Sequence, residues 1–125
     1  DRITRYDPGE RLTAIKNVSL AEEHLHDHFP GDPIMPASLI IEGMAQTAGI
    51  LVGAERRFAE KVILAKVNKA VFHKTIRPGD QLILEAVVDN IKHCVISNKR
   101  RRSTRSISRR ESPPATCRAS WSTAA

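Results

Sequence analysis

His28 and Glu42 are the two side chains whose types and spacing suit acid–base chemistry. His28 opens the segment HFPGDPIMP, and Glu42 follows within the apolar run of residues 37–54. A neutral imidazole accepts protons near neutral pH, and a carboxyl group among apolar side chains can stay protonated and donate. The apolar neighbours of Glu42 along the chain are Ile40, Ile41, Met44 and Ala45. On these residues alone, Glu42 also fits a structural carboxylate with a buried polar partner.

Three alternating histidines, His24, His26 and His28, raise the alternative of a metal site. On a strand all three would face one side and could bind a metal ion. No matching triad of cysteines or carboxylates follows, and Cys94 and Cys117 form no CxxC pair. We therefore predict no metal, and the low cysteine count favours a reducing compartment, the cytoplasm.

The elements that must position this chemistry are a constrained loop and a long helix. Residues 29–36 hold three prolines and a glycine, which excludes regular helix, and residues 37–58 are predicted to be helical. Apolar residues lie on all sides of that helix, which indicates that other structure encloses it. Gly43, Gly49 and Gly53 each cost about 1 kcal/mol in a helix interior, so we expect a sheet or a ligand close to its backbone. Gly49 and Gly53 extend the stripe of Glu42, leaving a lane where a ligand chain would fit.

The same apolar run is the candidate for a membrane span. A carboxylate at the centre of a spanning helix costs roughly 2.5–3.5 kcal/mol. With Glu42 and Gln46 inside the run, we expect a buried helix rather than membrane insertion.

The remaining pattern is that of strands and turns. We predict strand in residues 9–19, after the turn at Asp7-Pro8-Gly9, and in residues 62–76 with a break near Asn68. A turn at residues 78–80 precedes strands at 81–89 and from 91 onward. One helix with such strands is an α+β arrangement.

The positive charge is confined to the C-terminal segment. The chain has a net charge of +6, and residues 97–125 hold eight basic residues against one acidic residue, whereas residues 1–96 hold 12 and 13. We therefore predict a domain at 1–96. The segment 97–125 is rich in Arg and Ser, a composition typical of disorder. It is either a genuine basic tail or the product of a shifted reading frame over the last strands.

Two separated motifs resemble the 3-hydroxyacyl-acyl-carrier-protein dehydratases of dissociated fatty acid synthesis. HFPGDPIMP at residues 28–36 and LIIEGMAQ at 39–46 are similar to the family's HFPGxPxMPG and E-A-MAQ patterns, and Phe72 with RPGDQL at 77–82 is similar to its downstream block. The resemblance covers about residues 1–92. It implies the hotdog fold, an antiparallel sheet wrapped around one long helix.

The resemblance also implies roles for particular residues. His28 and Glu42 would be the catalytic pair, meeting across the interface of a dimer. The substrate-binding residues that it implies are Gly31, Ala37, Ser38 and Gln46. The N–H groups at the start of the helix would stabilise the thioester oxygen, and Gln46, one turn after Glu42, would orient it or a water. Whether Glu42 or a water protonates the leaving hydroxyl stays open. Ala37 replaces the glycine of the family's MPG, which we expect to weaken the oxyanion site.

The function implied is dehydration of a (3R)-hydroxyacyl-acyl-carrier-protein to the trans-2-enoyl product in fatty acid biosynthesis, without a cofactor. The alternatives are a hotdog acyl thioesterase, an enoyl thioester hydratase and a non-catalytic acyl-binding protein. A nucleic-acid binder acting through the basic tail is a further alternative, distinguished by steep salt dependence.

The expected partners are an acyl carrier protein and a second copy of the chain. Carrier proteins are acidic, so a basic patch of Lys69, Lys74 and Arg77 is predicted to receive one. We expect a homodimer or a trimer of dimers, with no nucleic acid bound.

Overall fold

The computed structural model describes residues 1–59, 61–90, 93–101 and 115–123. Two helices are formed in these ranges, α1 (His24–Asp27) and α2 (Ala37–Glu55). The strands are β1 (Arg2–Asp7), β2 (Arg11–Asn17), β3 (Val62–Val71), β4 (Gln81–Asn90), β5 (His93–Arg101) and β6 (Ala115–Thr123).

The described strands form one antiparallel sheet in the order β1-β2-β4-β5-β6-β3. The predicted α+β class is confirmed, as are the strand after Gly9 and the strand that follows the turn at Gly79. The break predicted near Asn68 is a register shift between Val67 and Lys69 within β3, which ends at Val71. A local irregularity of this kind interrupts the pairing without ending the strand.

One face of α2 packs against this sheet, chiefly on β4. Ile40, Met44, Ala48 and Leu51 recur at helical spacing and are buried. Leu82, Leu84 and Ala86 alternate along β4 and are buried against them. By length and composition α2 could cross a membrane, but its apolar face is the core of this domain.

The helix ends at Glu55, three residues before the predicted end. Arg57 and Phe58 have positive φ angles of 50° and 56°, and the Phe58 N–H donates to the Gly53 carbonyl at 2.8 Å. The chain therefore turns back at the end of the helix. This turn places the Phe58 ring so close to the helix that a Cβ on Gly53 would lie 2.8 Å from the ring. The closest neighbour of Gly53 is thus the Phe58 ring rather than the expected sheet or ligand, whereas a Cβ on Gly43 would lie 3.4 Å from Leu84 of the sheet. The open lane does not reach Gly53.

The prediction of disorder for residues 97–125 is wrong where the structure describes this segment. Residues 97–101 belong to β5, which pairs with β4, and residues 115–123 form β6, which pairs with β5 and β3. Composition ignores the alternation in ATCRASWST and the hydrogen bonds that a neighbouring strand offers. The predicted boundary at 96 falls inside β5, and the run of residues 102–114 lies outside the described residues.

Candidate active site

His28 is held by the loop that follows α1. Its Nδ1 lies 3.0 Å from the Ile34 carbonyl oxygen, and the Ile34 N–H donates to the His28 carbonyl at 2.8 Å. A carbonyl only accepts hydrogen bonds, so Nδ1 carries the proton of the neutral ring. The lone pair is then on Nε2. The loop thus presents the half-buried imidazole as a base through one defined nitrogen.

Gly31 forms the tip of a tight turn between Phe29 and Asp32. The Asp32 N–H donates to the Phe29 carbonyl at 3.0 Å, and the Phe29 N–H donates back to the Asp32 carbonyl at 3.2 Å. Pro30 fits the second position of such a turn, and Gly31 adopts a φ of 78° at the third, where glycine is favoured. This turn accounts for Gly31, which is exposed and does not line the pocket beside His28.

His28 and the start of α2 line one open pocket of about 410 Å³. The residues that line it are His28, Ile34, Met35, Ala37, Ile40, Phe72, His73, Lys74, Thr75 and Ile76. Pro36 provides no side-chain cap for α2, and the first N–H groups of a helix lack intrahelical partners. The backbone of Ala37 and Ser38 therefore offers hydrogen-bond donors beside a base, an arrangement that suits enolate chemistry.

Glu42 and Gln46 lie on the other side of α2, on an exposed stripe. The Gln46 Nε2 donates to Glu42 Oε1 at 2.9 Å, as the one-turn spacing predicts. Ser38 is also exposed, and Ile50 continues the stripe with 39% of its surface accessible. Glu42 does not line the pocket of its own chain.

The expectation of apolar surroundings for Glu42 is wrong within a single chain. Ile40 and Met44 are two positions away along the sequence and point into the core. Residues at that separation face different sides of a helix, whereas residues three or four apart share a side. The prediction that other structure encloses α2 on all sides is also wrong within a single chain, because only one face of the helix meets the sheet.

The histidines do not converge. Residues 24–27 form a single turn of helix rather than a strand, so alternate residues face apart. His26 Nε2 lies 2.9 Å from the Leu20 carbonyl oxygen, and His24 Nε2 lies 3.9 Å from Glu22 Oε2. In the described ranges, no three His, Cys, Asp or Glu side chains are grouped for a metal ion.

The proposed basic patch is altered by an ion pair. The Arg77 guanidinium donates to the Asp32 carboxylate. This hydrogen bond lowers the pKa of Asp32, and the same pair raises the pKa of Arg77. Lys74 lines the pocket, and Lys69 is exposed on β3. The charge of Arg77 is therefore partly neutralised, so Arg77 would attract an acidic partner less strongly than a free guanidinium.

Sequence reasoning missed several residues near the base. The Phe29 ring stacks on His28 with ring centroids 4.2 Å apart. His73, expected on a strand, follows the end of β3 and lines the pocket with Thr75. The pairing of Asp32 with Arg77 joins residues 45 positions apart. The stacking of Phe29 depends on the local backbone of its loop, and the other contacts depend on how two loops meet, so nothing in one sequence signals them.

Comparison with known families decides the affiliation. The FabA-like domain profile matches residues 1–104. The chain belongs to the FabA-like family. Among FabA-like relatives, the 3-hydroxyacyl-[acyl-carrier-protein] dehydratase FabZ of Caldanaerobacter subterraneus subsp. tengcongensis is 44% identical over 100 residues, covering 79% of this chain and 71% of that protein. The FabZ of Levilactobacillus brevis is 46% identical over 85 residues, covering 67% and 57%. The family predicted from the two motifs is confirmed.

Solved structures confirm the hotdog fold of this FabA-like chain. The dehydratase heterocomplex ApeI:P from Xenorhabdus doucetiae aligns with a TM-score of 0.70 at 11% identity and covers 96% of both chains. An acyl-CoA hydrolase mutant from Staphylococcus aureus aligns with a TM-score of 0.62 at 16% identity, covering 90% of this chain and 65% of that one. At such identities the likeness concerns the fold, and it includes proteins of different activity.

Proposed function

We propose that the protein dehydrates (3R)-hydroxyacyl-acyl-carrier-protein to the trans-2-enoyl thioester in fatty acid biosynthesis. The relatives at 44% and 46% identity carry the name of this dehydratase, so the predicted activity has their support. The observation that carries the proposal within the molecule is the hydrogen bond between His28 Nδ1 and the Ile34 carbonyl. It leaves Nε2 as the base in a pocket that also holds the start of α2.

The proposed reaction begins with proton transfer from C2 of the substrate to Nε2 of His28. The electrons of the C2–H bond form the enolate, whose oxygen accepts hydrogen bonds from the Ala37 and Ser38 N–H groups. The enolate then re-forms the thioester carbonyl, the C2–C3 double bond forms, and the C3–O bond breaks. The departing hydroxide takes a proton from the Glu42 carboxyl group, directly or through water, and leaves as water.

Glu42 must reach this pocket from a second copy of the chain. It is exposed, and its hydrogen bond to Gln46 aims it away from the pocket of its own subunit. A homodimer in which the stripe of one chain covers the pocket of the other would bring Glu42 to His28. Such an interface would also desolvate Glu42, which favours the protonated form that a general acid needs.

The acyl carrier protein is the proposed donor of the substrate. These relatives are 3-hydroxyacyl-[acyl-carrier-protein] dehydratases, so their names include this carrier. Lys74 at the pocket and Lys69 on β3 are the cations that we assign to this partner, because an acidic surface is steered toward basic groups. The proposed location is the cytoplasm, in keeping with the low cysteine count of the chain.

The proposed catalytic residues all lie within the proposed domain of residues 1–96. The sequence of residues 97–125 has two proposed origins, a native basic segment and a shifted reading frame. A native basic segment predicts an intact mass equal to that of the printed sequence. A shifted reading frame predicts a different mass and a different C-terminal peptide, so mass spectrometry separates them.

The experiment that tests the function follows two products from one substrate. With a 3-hydroxyacyl thioester of the carrier protein, we expect the ultraviolet absorbance of the enoyl thioester to rise while no free thiol is released. Release of thiol without enoyl formation would make the protein a thioesterase. Binding of the acyl carrier with neither product would favour the non-catalytic alternative.

A further inference from the structure

Two segments of the chain line the pocket, and a backbone hydrogen bond joins them. Residues 28–36 carry His28, Ile34 and Met35, and residues 72–76 form the second segment. The Met35 N–H donates to the Ile76 carbonyl at 2.8 Å. Arg77, the residue that follows the second segment, forms an ion pair with Asp32 of the first segment.

Asp32 is well placed to transmit this link to the imidazole. It closes the turn that begins at Phe29, with backbone hydrogen bonds in both directions. The Phe29 ring stacks on the His28 ring, and two hydrogen bonds join His28 to Ile34. The loop is therefore one hydrogen-bonded unit, so a shift of Asp32 moves His28 with it.

Arg77 is fixed at its base on the opposite side. Its backbone N–H donates to Asp80 Oδ2 at 2.9 Å, and Asp80 is buried. The following Gly79 N–H donates to the Val18 carbonyl at 2.8 Å. The guanidinium therefore extends from a turn whose backbone is anchored, so the ion pair connects the loop to a fixed part of the domain.

We infer that Asp32 and Arg77 are a positioning pair, which holds the loop of residues 28–36 against the second segment and so sets the reactive position of His28. The inference rests on the proposed function for its catalytic consequence, but the loop restraint itself does not. Neither residue touches the reacting atoms. Both are exposed, so the link is also open to weakening by salt.

Turnover of a carrier-free acyl thioester tests the catalytic part, because it removes any role of Arg77 in binding the carrier. Asp32→Asn and Arg77→Gln should each lower kcat by roughly two- to fivefold with little change in KM, as expected for loss of one exposed ion pair. The double variant should be no worse than either single variant. The charge-swapped protein, Asp32→Arg with Arg77→Asp, should recover part of the loss.

The pair of Arg11 with Glu85 provides a matched control. It joins β2 to β4 at 3.0 Å away from the pocket. Arg11→Gln should leave kcat unchanged at a temperature where every variant is folded. An equal loss in Arg11→Gln, or additive losses in the double variant at Asp32 and Arg77, would overturn the inference.

Amide hydrogen exchange tests the restraint without any activity. In Asp32→Asn and Arg77→Gln the backbone amides at position 32 and at Ile34 should exchange roughly two- to fivefold faster, while those of α2 keep their rates. Unchanged exchange in the loop would refute the restraint. A wild-type protein without dehydratase activity but with this exchange pattern would refute the proposed function alone.

Discussion

The two halves of the candidate site differ in how far one chain completes them. On the His28 side, the base is half-buried, its tautomer is set by the Ile34 carbonyl, and the start of α2 lies in the same pocket. On the Glu42 side, the carboxylate is exposed and its side-chain partner is Gln46, one turn along the same helix. The first half is organised within the subunit, and the second requires a covering surface.

This contrast teaches why one helix can serve two pockets. The N-terminus of α2 contributes backbone donors to the pocket of its own chain. Its exposed stripe, one face away, presents Glu42 to whatever packs there. In the proposed dimer, α2 would therefore contribute backbone donors to one pocket and Glu42 to the other.

Removing the base should have the largest effect. His28→Ala is expected to lower kcat by about 10²–10⁴-fold, the usual contribution of a general base, because the proposed reaction transfers the C2 proton to its Nε2. Enoyl formation under saturating substrate measures this loss. His26→Ala is the control, since His26 is an exposed histidine of the preceding helical turn. Similar losses in both variants would show that the effect comes from the fold of the loop.

Removing the acid should be slightly less damaging. Glu42→Gln keeps the side-chain size and the contact with Gln46 but cannot release a proton, so we expect a loss of about 100-fold or more in kcat. Glu55→Gln, at the exposed end of the same helix, should retain activity. A Glu42→Gln enzyme with full activity would assign the leaving-group proton to His28 or water.

The two glycines near the stripe should respond differently to a methyl group. Gly49 has open space for a Cβ, whereas a Cβ on Gly53 would meet the Phe58 ring at 2.8 Å. Gly49→Ala should raise the free energy of unfolding by about 0.5–1 kcal/mol, and Gly53→Ala should gain less or lose stability. Urea unfolding measures both. If Gly49 faces an acyl chain, Gly49→Ala will slow turnover despite the added stability. Equal stability changes would contradict the open surface assigned to Gly49.

The smallest expected effect is on the pH dependence of stability at acidic pH. The pKa of Asp32 is lowered below its ordinary value of 3.8 by the hydrogen bond from Arg77. A lowered carboxyl pKa stabilises the folded state above the ordinary value, and this contribution is lost as the pH falls through the folded value. The carbon NMR signal of the Asp32 carboxyl group should therefore show a titration midpoint below 3.8. This midpoint should move upward in Arg77→Gln. A midpoint that the substitution leaves unchanged would show that the pair does not form in solution.

Much of the His28 half could be predicted from the sequence. Proline and glycine restrict residues 29–36 so strongly that a loop follows, and the apolar run after Pro36 predicts the start of α2 correctly. Because motif residues lie close together along the chain, local rules suffice there.

The Glu42 half could not be predicted in the same way. The side to which Glu42 points depends on which stripe of α2 meets β4, and sequence neighbours such as Ile41 and Met44 are a poor guide to it. The ion pair of Asp32 with Arg77 likewise depends on the meeting of distant segments. The same holds for the position of β6 between β5 and β3. Composition gave the wrong answer for residues 115–123 because pairing with two neighbouring strands, rather than polarity, determines their structure.

The most direct test of a site shared between subunits is complementation of two inactive variants. His28→Ala and Glu42→Gln are mixed after reversible dissociation, or co-expressed with different tags, and assayed for enoyl formation. In a shared-site dimer the mixed species rebuilds one of its two sites, so random pairing should restore about one quarter of wild-type activity. Activity no greater than the sum of the separate variants, in a mixture shown to contain the mixed dimer, would contradict the shared site.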